Sequence, residues 1–207
     1  MTSSGDPTEL LLSRAADGDE AAMARLLDMH RARLKRMVSL RMDRRIRART
    51  DPSDVVQDAL LAAHDKLPAY VREQPVPFYP WLRQTTWEQL IQHTRRHLGA
   101  AARTVLREEE LEPGLSDASA ALLSRRLADS LSGPESRVHK GEQRAHIKAA
   151  LARLSAEHRE VLVLRFLEEL SLAEVAAVLH LSEPAVRGRQ FRAIQRLQSL
   201  LADLDEH

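Results

Sequence analysis

Cysteine is absent from all 207 residues. That excludes disulfides, thiolate metal sites and cysteine nucleophiles, and it allows a reducing compartment. Aromatic residues make up only 3 % of the chain, so a core of stacked rings cannot run through all of it. An excess of one charge sign is missing too: 31 Lys and Arg face 30 Asp and Glu, a net charge of +1. With no global field, any binding to a polyanion has to come from local clusters. No apolar run approaches the ~18 residues of a membrane span. The opening MTSSGDPTELLLSRAADGDE lacks a basic start followed by an apolar stretch, the mark of an export signal. The expectation is an unexported cytoplasmic protein without membrane insertion. No segment alternates with period two, so no strand is expected.

What is present is Leu, Ala, Arg and Glu at helical spacing, which favours helices packed by aliphatic ridges. Residues 1–5 form a polar tail. Asp6 caps a helix that Gly18 ends, and Asp19 opens a long one with Met23, Leu26, Leu27, Leu34, Met37 and Val38 on one stripe. Asp51-Pro52-Ser53-Asp54 starts another helix, which Pro68 is expected to stop. A proline-punctuated loop leads to a helix from about Phe78 to His97. From Gly99 to Pro134 the pattern decays into an acidic patch (Glu108, Glu109, Glu110, Glu112) with Gly, Ser and Pro, read as a flexible linker with some helix. Strong helical patterning returns over 135–154, 157–167, 172–179 and 183–204. The fold class is all-α: two small helical domains, 1–98 and 135–207, joined by a linker over 99–134.

The most informative stretch is SLAEVAAVLHLSEPAVRGRQFRA, Ser171 to Ala193. Ser171 and Glu174 form a capping box, and Leu172, Val175, Ala176 and Leu179 follow at helical spacing. Ser182 caps a second helix in which Pro184 is tolerated in the first turn. That helix carries Arg187, Arg189, Arg192 and Arg196 against one acid, Glu183. Two short helices, a tight turn, a small residue (Ala176) at the crossing and a basic second helix together read as a DNA-binding helix-turn-helix.

Three further clusters carry weight. Arg31 to Arg49 holds nine basic residues and one acid, Asp43, which suits a track along phosphates. Asp54, Gln57 and Asp58 share one exposed helix face, and a polar docking face explains them better than catalysis, since no nucleophile or ligand set accompanies them. Five of the seven aromatics (Tyr70, Phe78, Tyr79, Trp81, Trp87) fall within 18 residues, among Arg83, Gln92, Arg95 and Arg96. Such rings beside a cationic groove can stack unpaired bases. Trp81, spaced with Phe78 and beside Leu82, fits the core better, whereas Tyr79 and Trp87 stay open to either role. His93 and His97 are spaced for chelation, but no acidic third ligand is near and two arginines lie between them; neither a metal nor a cofactor is expected.

In this combination and order, the chain resembles bacterial RNA polymerase sigma factors of the extracytoplasmic-function group. DPSDVVQDALLAA is similar to the family segment that docks on the clamp helices of the polymerase beta-prime subunit. FYPWLRQTTWEQLIQHTRR is similar to the helix that melts and reads the minus-ten element. ALARLSAEHREVLVLRFLEELSLAEVAAVLHLSEPAVRGRQFRAIQRL resembles sigma domain 4 nearly end to end, and SGPESR before it resembles a serine-proline segment of some branches. The resemblance implies that 1–98 is sigma domain 2 and 135–207 sigma domain 4, contacting the minus-thirty-five element. It implies polymerase contact through Asp54, Gln57 and Asp58, and minus-ten contact through Tyr79, Trp81, Arg83, Trp87, Gln92, Arg95 and Arg96. Minus-thirty-five contact falls to Glu183, Arg187, Arg189, Arg192 and Arg196. The implied partners are core polymerase (clamp helices and beta flap) and promoter DNA, with room for an anti-sigma factor or other regulator. The chain departs from the usual pattern at Thr85, Thr86 and Glu88, where Ile-Ala and then Asn are common, and at Gln92, where Asp is common. It also departs at His180, commonly Gly, and Ala185, commonly Thr. An initiation factor rather than an enzyme is the expected function. A helix-turn-helix regulator with an N-terminal sensor or dimer module is the alternative, and a purely protein-binding adaptor a weaker one.

Overall fold

The computed structural model describes residues 6–42, 47, 49–108, 117–131 and 140–205. Among them there are ten α-helices, one π-helical turn and no strand. No helix among them is long and apolar enough to cross a membrane. Two compact units are formed, Met1–Gly114 and Leu115–His207.

The first unit contains α1 (Pro7–Ala16), α2 (Glu20–Met29), α3 (Arg31–Arg41), α4 (Pro52–Glu73) and α5 (Phe78–Glu108). Asp6 caps α1 by accepting from the Thr8 amide at 3.0 Å, and Asp19 caps α2 by accepting from Ala22 at 2.9 Å. The Ala22 amide, then the Arg14 side chain, hold the Asp19 carboxyl below its ordinary value. The long helix expected from Asp19 is broken at His30, whose side chain is buried with its ring 5.4 Å from Phe78 and 5.5 Å from Tyr79. Helix α4 packs against every other helix of the unit, burying Val55, Val56, Ala59, Leu60, Ala63, Leu67 and Tyr70. It does not stop at Pro68, as expected, but continues to Glu73. Leu67 and Tyr70 are buried, and the Tyr70 hydroxyl donates to the Val76 carbonyl at 2.8 Å, which draws the last turn onto the core in spite of the lost amide.

The second unit contains α6 (Asp117–Leu131), α7 (Lys140–Ala152), α8 (Ala156–Leu162), a π-helical turn (Val163–Leu167), α9 (Leu172–Leu179) and α10 (Glu183–Asp205). Here the linker reading of 99–134 meets a difference. Helix α5 runs on to Glu108 through Gly99, and α6 packs on α7 and the π turn with Leu123 and Leu127 fully buried. Leu123 and Leu127 lie four apart, and with Ser119 and Ser124 also buried they form a helix face that the surrounding Ala and Ser conceal in the sequence. Glu109, Glu110, Glu112 and the SGPESR segment lie outside the described residues. The stretch read as one helix over 157–167 is α8 followed by the π turn, and the helix read from Glu135 is described from Lys140. Arg159 closes the α7–α8 corner by donating to the carbonyls of Leu151, Ala152 and Leu154.

Candidate nucleic-acid and polymerase interface

The candidate docking face is the N-terminal half of α4. Asp51 caps that helix by accepting from the Ser53 amide at 2.7 Å, and Asp54 completes the box by accepting from the Asp51 amide at 3.3 Å. The Ser53 amide, then its hydroxyl, with Lys35 nearby, keep the Asp51 carboxyl below its ordinary value. Asp54 and Gln57 are exposed; Asp58, 46 % exposed, accepts from His93 of α5 at 2.9 Å. Leu61, four residues beyond Gln57, continues the face with 61 % exposure. Counting exposed apolar residues on the carboxylate-bearing stripe would have found it in the sequence.

Helix α5 sorts the predicted minus-ten residues into two groups. Tyr79 is 4 % exposed, and the Arg33 guanidinium lies 3.6 Å from its ring centroid. Arg83 is 6 % exposed. These two positions, four apart on the buried side of the helix, do not present a stacking or phosphate-binding surface, and Arg33 of α3 covers Tyr79. Trp81 is half-buried, 4.5 Å from Tyr70 and 5.6 Å from Phe78. Trp87 is half-buried with Arg41 5.7 Å from its ring. Gln92, Arg95 and Arg96 are exposed, the last donating weakly to Gln92 at 3.5 Å.

The unusual positions of α5 are accounted for locally. Thr85 and Thr86 are buried and their hydroxyls donate to the carbonyls of Trp81 and Leu82, at 3.3 and 2.9 Å, so small polar side chains sit in the interior without stranded hydroxyls. Glu88 bridges to Lys66 of α4 at 3.1 Å. The basic run over 31–49 is likewise partly structural: Arg41 is buried, Arg31 pairs with Asp28, and Arg47 donates to the Ser39 carbonyl. Lys35 and Arg36 face solvent, while residues 43–46 and 48 lie outside the described set.

The turn and second helix of the helix-turn-helix follow the sequence reading closely. Ser171 accepts from the Glu174 amide at 3.1 Å and Glu174 accepts from the Ser171 amide at 2.7 Å, closing the capping box. His180 takes the left-handed conformation at φ 53°, and Leu181 donates to Ala176 at 2.9 Å. Ser182 accepts from the Ala185 amide at 3.3 Å, capping α10. Val186, Ala193, Leu197 and Leu200 are fully buried and form the inner stripe of α10. On the outer side, Arg187 is 66 % exposed and pairs loosely with Glu183 at 3.6 Å. Arg189 is turned back to Glu157 of α8 at 3.3 Å and is only 24 % exposed, so it braces the helix pair. Arg192 lies over Gly188, where an added Cβ would come within 3.3 Å of its guanidinium. Arg196 is exposed. Arg165 ties the π turn to α10 by donating to Gln190 at 3.3 Å. Phe191 stands 62 % exposed one turn after Arg187, the only ring on that face and one that charge patterning overlooks.

A helix-turn-helix with an outward basic second helix, and a separate helical unit carrying an acidic face, match two family descriptions in chain order. "Sigma-70 region 2" covers residues 26–98 and "Sigma-70, region 4" covers 150–199. The RNA polymerase sigma factor CnrH of Cupriavidus metallidurans is 30 % identical over 202 residues, 95 % of each chain. The extracytoplasmic-function sigma factor SigD of Mycobacterium tuberculosis is 29 % identical over 198 residues, 96 % of this chain and 85 % of that one. The chain belongs to the extracytoplasmic-function group of sigma-70 factors. Among solved structures, CnrH in complex with the cytosolic domain of CnrY matches with a TM-score of 0.53 and 26 % identity, covering 96 % of this chain and 99 % of that one. As a sigma factor, the chain binds core RNA polymerase and directs promoter-specific initiation of transcription.

Proposed function

We propose that the two interfaces of this sigma factor divide as follows. The α4 face of Asp54, Gln57, Asp58 and the exposed Leu61 docks on the polymerase, with the carboxylates supplying directional acceptors and Leu61 an apolar anchor. Gln92, Arg95 and Arg96, with the exposed edges of Trp81 and Trp87, hold the melted minus-ten strand, while Tyr79 and Arg83 support that surface from inside. In the second unit, α10 lies in the major groove of the minus-thirty-five element with Arg187 reading a base edge near the helix N-terminus. Glu183 orients Arg187 across one helical turn. Arg192 and Arg196 meet phosphates, and Phe191 offers an apolar contact to a thymine methyl. Arg189 acts by bracing α10 on α8.

The observation that carries this reading is the exposure of the Asp54–Gln57–Asp58 face at the start of a helix whose opposite face is wholly buried. The cap bond of Asp54 and the His93 bond of Asp58 each engage one carboxylate oxygen and leave the rest of the face open to solvent. Replacing all three with alanine is expected to abolish co-purification with core polymerase while the helical circular dichroism stays unchanged; wild-type affinity in the triple variant would move the docking face elsewhere. The factor works in the cytoplasm, as an initiation factor rather than an enzyme. By analogy with CnrH, seen with the cytosolic domain of CnrY, it also takes a regulatory protein partner.

A further inference from the structure

The bond between His93 and Asp58 gives a role to a histidine that neither interface includes. His93 lies on α5, directly after the exposed Gln92 and two residues before Arg95, yet its side chain is only 10 % exposed. Its Nε2 is 2.9 Å from Oδ2 of Asp58 on α4. A carboxylate has no hydrogen to give, so the ring nitrogen donates. Asp58 is in turn 46 % exposed. One carboxylate therefore has one oxygen held by a buried ring and the rest of its surface open to solvent.

An aspartate on a helix surface samples more than one staggered rotamer, and fixing one of them on binding carries an entropic cost. A buried imidazole wedged between two packed helices removes that freedom in advance. A second polar tie between these two helices, Lys66 to Glu88, joins side chains that are 52 % and 44 % exposed, and exposed ion pairs of that kind constrain little. The geometry points to His93 as a positioning residue for polymerase binding: it holds the Asp58 carboxylate in the orientation that the polymerase meets. Through the same bond, the docking face of α4 is held in register with the turn of α5 that carries Gln92, Arg95 and Arg96. This role rests on the assignment of Asp58 to the docking face.

The test uses the full chain and core polymerase, with affinity measured by titration for four variants. His93→Leu keeps an apolar side chain in the interior and removes the donor; affinity is expected to fall about threefold to tenfold, the worth of one net hydrogen bond. His93→Gln restores a nitrogen donor at similar reach and is expected to recover most of that loss. Asp58→Ala is expected to lose affinity by at least as much as His93→Leu. In the Asp58→Ala background, His93→Leu is expected to add nothing further. If Asp58→Ala binds core polymerase like wild type, the docking assignment itself fails. If Asp58→Ala is weakened while His93→Leu is not, or while the two losses multiply, the docking face stands and the positioning role of His93 is refuted. Equal loss in His93→Leu and His93→Gln refutes it as well, because a packing role alone predicts that neither a donor nor its partner matters. Thermal melts of all four variants separate loss of fold from loss of affinity, and any variant that is unfolded at the assay temperature is remeasured at a lower one.

Discussion

In Met1–Gly114 the side chains that meet around the α4–α5 corner are rings. Tyr70, Phe78 and Trp81 lie within 5.6 Å of one another in pairs, His30 contacts Phe78 and Tyr79, and Arg33 covers Tyr79. In Leu115–His207 the interior is Leu, Val, Ile and Ala, and neither of its two aromatics, Phe166 and Phe191, is buried. The difference follows the work proposed for each unit. A duplex reader needs guanidinium groups on one outer face, and a separate aliphatic stripe can fill the core behind it. A melted-strand binder needs rings, and rings are also what its own core consumes. Tyr79 and Trp87, alike in the sequence, differ in depth: Tyr79 is buried beneath Arg33, whereas Trp87 is half-buried with Arg41 5.7 Å from its ring.

The sharpest break in this comparison lies in the second unit, where the aliphatic core extends further along the chain than domain 4 as matched by family. Leu123 and Leu127 of α6 are fully buried against that core. Replacing both with alanine is expected to destabilise the unit by about 4–10 kcal/mol, from ~2–5 kcal/mol for each buried leucine. Hydrogen exchange should then show α7–α10 opening together while α1–α5 stay protected. By the same logic residues 115–207 should give a cooperative melt and residues 135–207 should not. A sharp melt from 135–207 would show α6 to be an accessory.

The ring-based core responds to alkali in a way the aliphatic one cannot. Burial raises the Tyr70 hydroxyl from 10.0 to about 12. The folded state keeps its proton where the unfolded chain gives it up, so the contribution is complete below about pH 10 and is lost as pH rises from there toward about 12. Both tyrosines belong to the first unit. Urea midpoints followed by Trp81 and Trp87 fluorescence should therefore fall across that window, and Tyr70→Phe should flatten the fall. An unchanged slope in Tyr70→Phe would assign it to other groups.

Base reading should separate the arginines of α10. Arg187→Ala is expected to weaken binding to the cognate minus-thirty-five duplex by ~1–3 kcal/mol and to leave random DNA nearly unaffected. Arg196→Ala should weaken both alike and lower the salt slope by ~1. Equal losses on both sequences for Arg187→Ala would make it a phosphate contact.

How much of this was legible depends on whether the signal was local. The capping box of Ser171 and Glu174, the Ser182 cap and the exposed arginines of α10 are set by neighbours within four residues, and the sequence shows them directly. The break at His30, the continuation through Pro68 and the burial of Tyr79 are set by helices tens of residues away. Helix α6 fell between these cases, because its buried stripe is only two leucines wide within a polar surround. The proposed docking face was half legible: its carboxylates are spaced for one face, but the bond from His93 to Asp58 spans 35 residues and has no sequence signature.

The smallest expected effect compares two of the left-handed turns, one in each unit. Gly18 ends the first turn of the first unit at φ 82°, with nothing within 4 Å of a Cβ placed there, so Gly18→Ala meets backbone strain alone. It is expected to cost about 1–2 kcal/mol. His180 occupies the corresponding conformation between α9 and α10 at φ 53°, a region that His tolerates better than most residues. His180→Gly relieves that strain but gives the unfolded chain more freedom, so the net gain should not exceed about 1 kcal/mol. Amide exchange of α9 and α10 should slow slightly in His180→Gly, while α1 and α2 exchange faster in Gly18→Ala. Faster exchange in His180→Gly would mean that the imidazole makes a stabilising contact at the turn, outweighing the relief of its backbone.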